Sequence, residues 1–197
     1  MHQNSQKRFQ IPEQTYFLTA KTHQNFPYFR DEILCELFME ELRLCKELKK
    51  FELFAFCLNY DHFHLLLRPN AKFNVSKVMQ FLKRHFSRNA NFILNSTNEG
   101  DIRECRLQNH DDNLLKSTIK NHDQFVKNLK KQFLRKNNPH EFPQFKWQKS
   151  FHDHAIRGEK DFENHFNYTV NNFRKHGLPE SWKWNSGNFG KMIDGVI

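Results

Sequence analysis

At 197 residues the chain is long enough for one ordinary domain with a hydrophobic core and too short to expect two independent ones. Its 31 Lys and Arg against 22 Asp and Glu give a net charge of +9 and a pI near 9.4, which suits a polyanionic partner, nucleic acid first. No uncharged run of about 18 residues is present to span a bilayer, Met1 to Ile11 is polar, and Cys35, Cys45, Cys57 and Cys105 form no C-x-x-C pair; a membrane protein, a disulfide framework and a zinc knuckle are set aside, and a cytoplasmic protein with reduced packing cysteines is expected.

Thr15 to Lys21 alternates, with Tyr16, Leu18 and Ala20 on one face, and predicts a first strand after Pro12. From Asp31 to Lys50, Leu34, Leu37, Phe38, Leu44, Cys45 and Leu48 recur at helical spacing. Acidic residues lead that helix and lysines trail it, which complements its dipole. Glu52 to Leu58 and His62 to Arg68 read as two strands of a hairpin around Asn59-Tyr60-Asp61, whose Asn and Asp favour a turn.

Asn74 to Asn89 predicts a basic amphipathic helix, with Val75, Val78, Met79, Leu82 and Phe86 as the apolar stripe and Lys77, Lys83, Arg84 and Arg88 between them. The pattern weakens from about 95 to 145, except for a helical stretch with Phe125, Val126, Leu129 and Phe133 among lysines, which reads as an inserted basic helical arm. Trp147 to Arg157 predicts a last strand. Asp161 to Lys175 predicts a last helix with Phe162, Phe166, Val170 and Phe173 on its core face, ended by Gly177 and Pro179. This order predicts an α+β, ferredoxin-like split βαβ domain over 1–197: an antiparallel sheet of four to five strands with helices on one face, plus a helical insertion.

Two features carry chemistry. In Asp61-His62-Phe63-His64-Leu65-Leu66-Leu67, the i, i+2 spacing on a strand points both imidazoles to one face while Phe63, Leu65 and Leu67 point into the core. Neutral imidazoles held on a rigid strand are good ligands for a divalent ion, though an H-x-H pair alone more often marks surface or structural histidines. On the last helix, Tyr168 lies one turn before Asn172 and one turn after His165, off the apolar stripe. Spacing alone favours reading Tyr168 as an exposed tyrosine of an amphipathic helix.

Three stretches resemble the HUH single-tyrosine transposases, and more closely the REP-associated tyrosine transposases. They are Phe51 to Leu67 with the histidine pair, Trp147-Gln148-Lys149-Ser150-Phe151-His152-Asp153-His154-Ala155-Ile156-Arg157, and Tyr168-Thr169-Val170-Asn171-Asn172-Phe173-Arg174-Lys175-His176-Gly177-Leu178. The tail Ser181-Trp182-Lys183-Trp184-Asn185-Ser186 is similar to the family's Trp-and-Ser ending. The likeness covers roughly 10 to 95 and 145 to 190, and the insertion has no counterpart. Tyr60-Asp61 stands where relatives carry Pro-Asn, and Asn172-Phe173 where they carry Asn-Pro; the second departure implies a helix that runs on without a proline break.

The resemblance implies a single-strand DNA endonuclease and transposase, in which His62 and His64 hold Mg²⁺ or Mn²⁺ with Asn172 as third ligand, and Tyr168 attacks the scissile phosphate to leave a 5′-phosphotyrosine and a free 3′-hydroxyl. A free phenol titrates near pH 10, so the ion would assist its deprotonation. His154 and His165 are expected to touch the ligands or the substrate. Lys77, Lys83, Arg84 and Arg88 are expected phosphate contacts, since no acidic residue interrupts 71–98, and Arg157 is another because it sits close in sequence to the site elements. Single-stranded DNA with a hairpin is the expected partner, in a monomer acting in cis or a homodimer. The alternatives are a nucleic-acid-binding protein that kept the fold without cleavage and a metal-binding regulator without a role for Tyr168.

Overall fold

The computed structural model describes residues 11, 14–95 and 113–195. Cys105 and the first third of the expected insertion lie outside the described residues. The elements run β1 (Tyr16–Lys21), α1 (Glu32–Lys49), β2 (Glu52–Leu58), β3 (His62–Arg68), α2 (Val75–Leu94), α3 (Asn113–Lys136), β4 (His152–Ala155), α4 (Glu159–Val170) and α5 (Asn172–Lys175). The four strands form one antiparallel sheet in the order β2-β3-β1-β4. This is the expected α+β class. The last strand is shorter than its sequence pattern, because Trp147 pairs only through an isolated bridge to Thr22 before the chain rejoins β1 at His152.

Alternation along the strands divides the molecule. Leu18 and Ala20 of β1, Leu53, Phe56 and Leu58 of β2, and Phe63, Leu65 and Leu67 of β3 enter the main core with α1, α2 and α3. Phe17, Phe54, Ala55 and Leu66 face the other way, against Phe162, Phe166 and Val170 of α4. Helices therefore cover both faces, which corrects the expectation of helices on one face. A bulge in β2 between Leu53 and Ala55 makes this second core possible. The extra residue lets Phe54 and Ala55 point to the same side, where strict alternation would have divided them.

Local chemistry fixes the helix ends. Asp31 accepts from the backbone N–H of Ile33 and Leu34, Asn74 accepts from that of Lys77, and Lys50 closes α1 in the left-handed region at φ 51°. The expected arm is not a separate appendage where it is described: Val126, Leu129 and Phe133 of α3 lie in the main core. A buried polar knot joins the three helices, with Asn89 Nδ2 donating to Glu41 Oε1 at 2.5 Å and His122 Nε2 3.1 Å from the same oxygen.

The outer edge of β2 is covered by the C-terminal tail. Leu58 N–H donates to Trp184 O, Trp182 Nε1 donates to Leu58 O, Phe56 N–H donates to Ser186 Oγ, and Leu53 N–H donates to the Asp194 carboxylate. These bonds satisfy strand groups that would otherwise offer a template for another chain. The Trp and Ser of the tail thus have a structural task.

Removing Glu41 leaves Asn89 and His122 buried with their shared acceptor gone. Glu41→Ala is expected to lower stability by about 3 kcal/mol, whereas Glu52→Ala, which breaks an exposed pair with Arg68, should change it by less than about 0.5 kcal/mol. Urea denaturation of the two variants checks the contrast.

Candidate active site

The second face of β3 carries the histidines. His62 and His64 are 3% and 4% exposed, and their rings sit 5.0 Å apart. Each has its Nδ1 occupied. Asp61 Oδ1 lies 2.5 Å from His62 Nδ1, and Thr19 Oγ1, placed opposite His64 by the β1–β3 register, lies 2.7 Å from His64 Nδ1. The Asp61 carboxylate can only accept, so His62 carries its proton on Nδ1 and Nε2 is left as a lone pair. Asn59 Nδ2 donates to that lone pair at 3.0 Å. His64 Nε2 is buried without a hydrogen-bond partner, and so is Asn172 Nδ2.

Asn172 reaches this place through a turn in the backbone. Asn171 leaves helical geometry at φ −101°, ψ 2°, dividing the expected last helix into α4 and α5. The anticipated uninterrupted helix is therefore corrected. Phe173 does not continue the stripe of Phe162, Phe166 and Val170 but packs with Cys57 and Leu178 in a cluster of its own, which requires the change of direction. Gly177, at φ 68°, completes the exit in a conformation that favours glycine. As a result Asn172 is 1% exposed, and its Oδ1 accepts from Asn59 Nδ2 at 2.7 Å.

Tyr168 is 37% exposed, and its ring lies edge-on to His64, 5.4 Å between centroids, in the same chain. Phe17 supports it from β1 at 5.7 Å, and Lys175 Nζ stands 4.9 Å from the ring centre. His176, whose ring is 4.6 Å from that of His62, closes the rim. His62, His64, Asn172 and Tyr168 are therefore gathered on one side of the sheet. His154 and His165 stack on each other at 4.6 Å behind Phe17, both hydrogen-bonded to Asp161.

The expected phosphate contacts are dispersed. Arg157 is exposed at the start of the β4–α4 connection. Lys77 and Arg84 are exposed on α2, which packs on the opposite face of the sheet from the histidines. Lys83 Nζ donates to the carbonyls of Gln148 and Ser150, and Arg88 Nε donates to Asn89 Oδ1, so both are engaged within the protein. Sequence reasoning missed Thr19, Asn59 and His176 as members of the site. Asn59 had a signal in its nearness to His62; Thr19 is placed only by strand register.

Burial governs the electrostatics. It lowers His62, partly offset by Asp61. It takes His64 down to about 3, helped by the neighbouring His62 and His176. Both imidazoles are held neutral, the form in which they bind metal.

Comparison with known proteins agrees with the sequence resemblance. Residues 13–104 match the family model described as "Transposase IS200 like". A putative REP-associated tyrosine transposase of Haemophilus influenzae is 30% identical over 149 residues, covering 75% of this chain and 64% of that protein. The chain thus spans under two thirds of that relative's length. Among solved structures, one of a REP-associated tyrosine transposase bound to a REP hairpin aligns with a TM-score of 0.56 at 16% identity, covering 93% of this chain and 82% of that chain. That likeness establishes the fold. The resemblance to tyrosine transposases is borne out, and among the described residues no helix is long and apolar enough to cross a membrane.

A histidine whose folded pKa lies below its unfolded value of about 6.5 withholds a proton that the unfolded chain takes up. The stability contributed by neutral His64 is therefore complete above about pH 6.5 and is lost as pH falls toward 3. His85, half-buried and also lowered to about 3 by desolvation, adds to the same window. In chelator-treated protein we expect on the order of 2 kcal/mol lost per such group between pH 7 and pH 5. His64→Leu should flatten that slope in urea midpoints measured against pH.

Proposed function

We propose that this chain, with its likeness to REP-associated tyrosine transposases, is a divalent-metal-dependent single-strand DNA endonuclease and transposase that cuts and rejoins DNA through Tyr168. The observation that carries this reading is the convergence of two neutral, buried imidazoles, His64 with a free Nε2, on the side of the sheet where Tyr168 stands 5.4 Å from His64.

The residues fit a metal. His62 and His64 would hold it through Nε2, their Nδ1 atoms being anchored by Asp61 and Thr19, a pattern that orients ligand rings and raises their basicity. Asn172 is the proposed third ligand, its Oδ1 passing from Asn59 to the ion, and the remaining positions are left for water and phosphate. Mg²⁺ or Mn²⁺ bound there supplies Lewis-acid polarisation of the scissile phosphate.

Tyr168 Oη forms the new bond to phosphorus as the P–O3′ bond breaks. The 3′ oxygen leaves as a hydroxyl, and the 5′ phosphate stays on the tyrosine. The phosphodiester energy is conserved, so attack by a 3′-hydroxyl on that ester rejoins a strand without ATP. Lys175 lies where its ammonium would stabilise negative charge on the phenolate or phosphate. Tyr168 beside its own chain's histidines supports use in cis. A DNA hairpin, the ligand of the structural relative, is the proposed substrate class, with Arg157 the nearest of the expected phosphate contacts in sequence to β4 and α4.

The test is incubation with single-stranded hairpin oligonucleotides and Mg²⁺ or Mn²⁺, followed by a denaturing gel. Wild type should form a protein–DNA adduct, and Tyr168→Phe should bind DNA but form none. His62→Ala and His64→Ala should lower cleavage at least 100-fold with the fold retained. Thr19→Val, which removes only the partner of His64 Nδ1, should weaken metal affinity about 10- to 100-fold. Covalent trapping by Tyr168→Phe, or release of free 5′-phosphate ends by wild type, contradicts the mechanism.

A further inference from the structure

Beside the candidate active site, and separated from it by the Phe17 ring, lies a second group of donors that the cleavage reading does not use. His154 comes from β4, opposite Phe17 in the sheet register. Asp161 and His165 come from the first turns of α4, four residues apart and so on one helix face. Asp161 sits between the two imidazoles, with Oδ2 2.9 Å from His154 Nε2 and Oδ1 3.0 Å from His165 Nδ1. One ligand atom from each residue lies within 4.8 Å of the others. The side chains are 31%, 26% and 25% exposed, so an ion can enter and leave.

We propose that His154, Asp161 and His165 form a second metal site, selective for a late first-row dication of the Zn²⁺ type. The spacing supports it: two ligands about 2.0 Å from a tetrahedral ion stand about 3.3 Å apart, close to the 2.9 and 3.0 Å separations from the carboxylate. The stacked rings, inclined by only 16°, turn their nitrogens to the same carboxylate. His165 Nδ1 also lies 2.9 Å from Asp161 O, within the helix. A neutral imidazole can pass its proton to the other ring nitrogen, so an ion replaces these hydrogen bonds without a change of ring charge.

The donor set decides the ion. Two imidazoles and one carboxylate suit Zn²⁺, Co²⁺ or Ni²⁺ better than Mg²⁺, which prefers oxygen ligands and retains its waters; by the same preference Mn²⁺ is the better occupant of the β3 histidine pair, where substrate phosphate and water would add oxygen ligands. Three protein ligands leave a position open to water or a substrate group. The site would clamp β4 to α4 one turn before Tyr168, making Zn²⁺-type ions modulators of where the tyrosine stands. The inference rests on these three residues and does not depend on the cleavage mechanism.

The experiment uses the full chain carrying His62→Ala and His64→Ala, with any purification tag removed, titrated with Co²⁺ and followed by visible absorption. One equivalent of Co²⁺ should bind, and millimolar Mg²⁺ should not displace it. Adding His165→Gln or His154→Gln should each weaken Co²⁺ binding at least tenfold, with helix content unchanged by circular dichroism. Asp161→Asn provides an independent third variant with the same expected loss. If the His62→Ala/His64→Ala protein binds Co²⁺ no better than the forms lacking His154 or His165, the three residues are a hydrogen-bonded brace only and the proposal is overturned. That outcome leaves adduct formation by wild type untouched, so the two readings fail separately.

Discussion

The side chains of β3 alternate, so that Phe63, Leu65 and Leu67 enter the core beneath α1 and α2 while His62, His64 and Leu66 face the opposite side. A shift of one residue in the β1–β3 register would place imidazoles among the phenylalanines and expose the apolar set. The burial that fixes the strand is therefore also what fixes the histidines. Several buried large side chains, each worth about 2 kcal/mol or more, oppose any such shift. The site inherits the rigidity of the core without spending residues of its own on it.

The second face is built to the same logic on a smaller scale. Leu66, Phe17, Phe54 and Ala55 hold α4, and the bulge in β2 supplies the extra apolar position that this helix needs. Anchored there, α4 sets Tyr168 over His64, and the break at Asn171 turns Asn172 inward where a straight helix would have carried it past. Thr19 and Asp61 complete the arrangement by occupying the Nδ1 atoms. Imidazoles already held in place, and for His62 a lone pair already set by an acceptor-only carboxylate, need little reorganisation when a ligand arrives.

The strands β2 and β3, the helix α1 and the common side of His62 and His64 were legible in the sequence because period-two and helical patterns are local and strong there. The resemblance supplied Tyr168 and Asn172, whose geometry spacing alone leaves open. What was not legible depends on pairing between distant segments. Thr19 joins His64 only through strand register, Asn59 reaches Asn172 across 113 residues, and α4 chooses the second face because a β2 bulge makes room. The arm shows a related effect: its lysines suggest a solvated helix, while Val126, Leu129 and Phe133 and the buried His122–Glu41 contact tie α3 to the core. The basic residues of α2 show the converse, since local charge pattern cannot say that the helix lies on the far side of the sheet.

In the proposed site, Nε2 of His62, set by Asp61, and Nε2 of His64, whose ring Thr19 orients, would meet a single ion shared with Asn172. Anomalous diffraction from crystals of the protein grown with Mn²⁺ would locate that ion. The expected peak is bonded to Nε2 of both His62 and His64, with the Asn172 side chain beside it. A peak held through Nδ1, a peak found only at His154, Asp161 and His165, or no peak at the β3 histidines under saturating Mn²⁺ would contradict the proposed site.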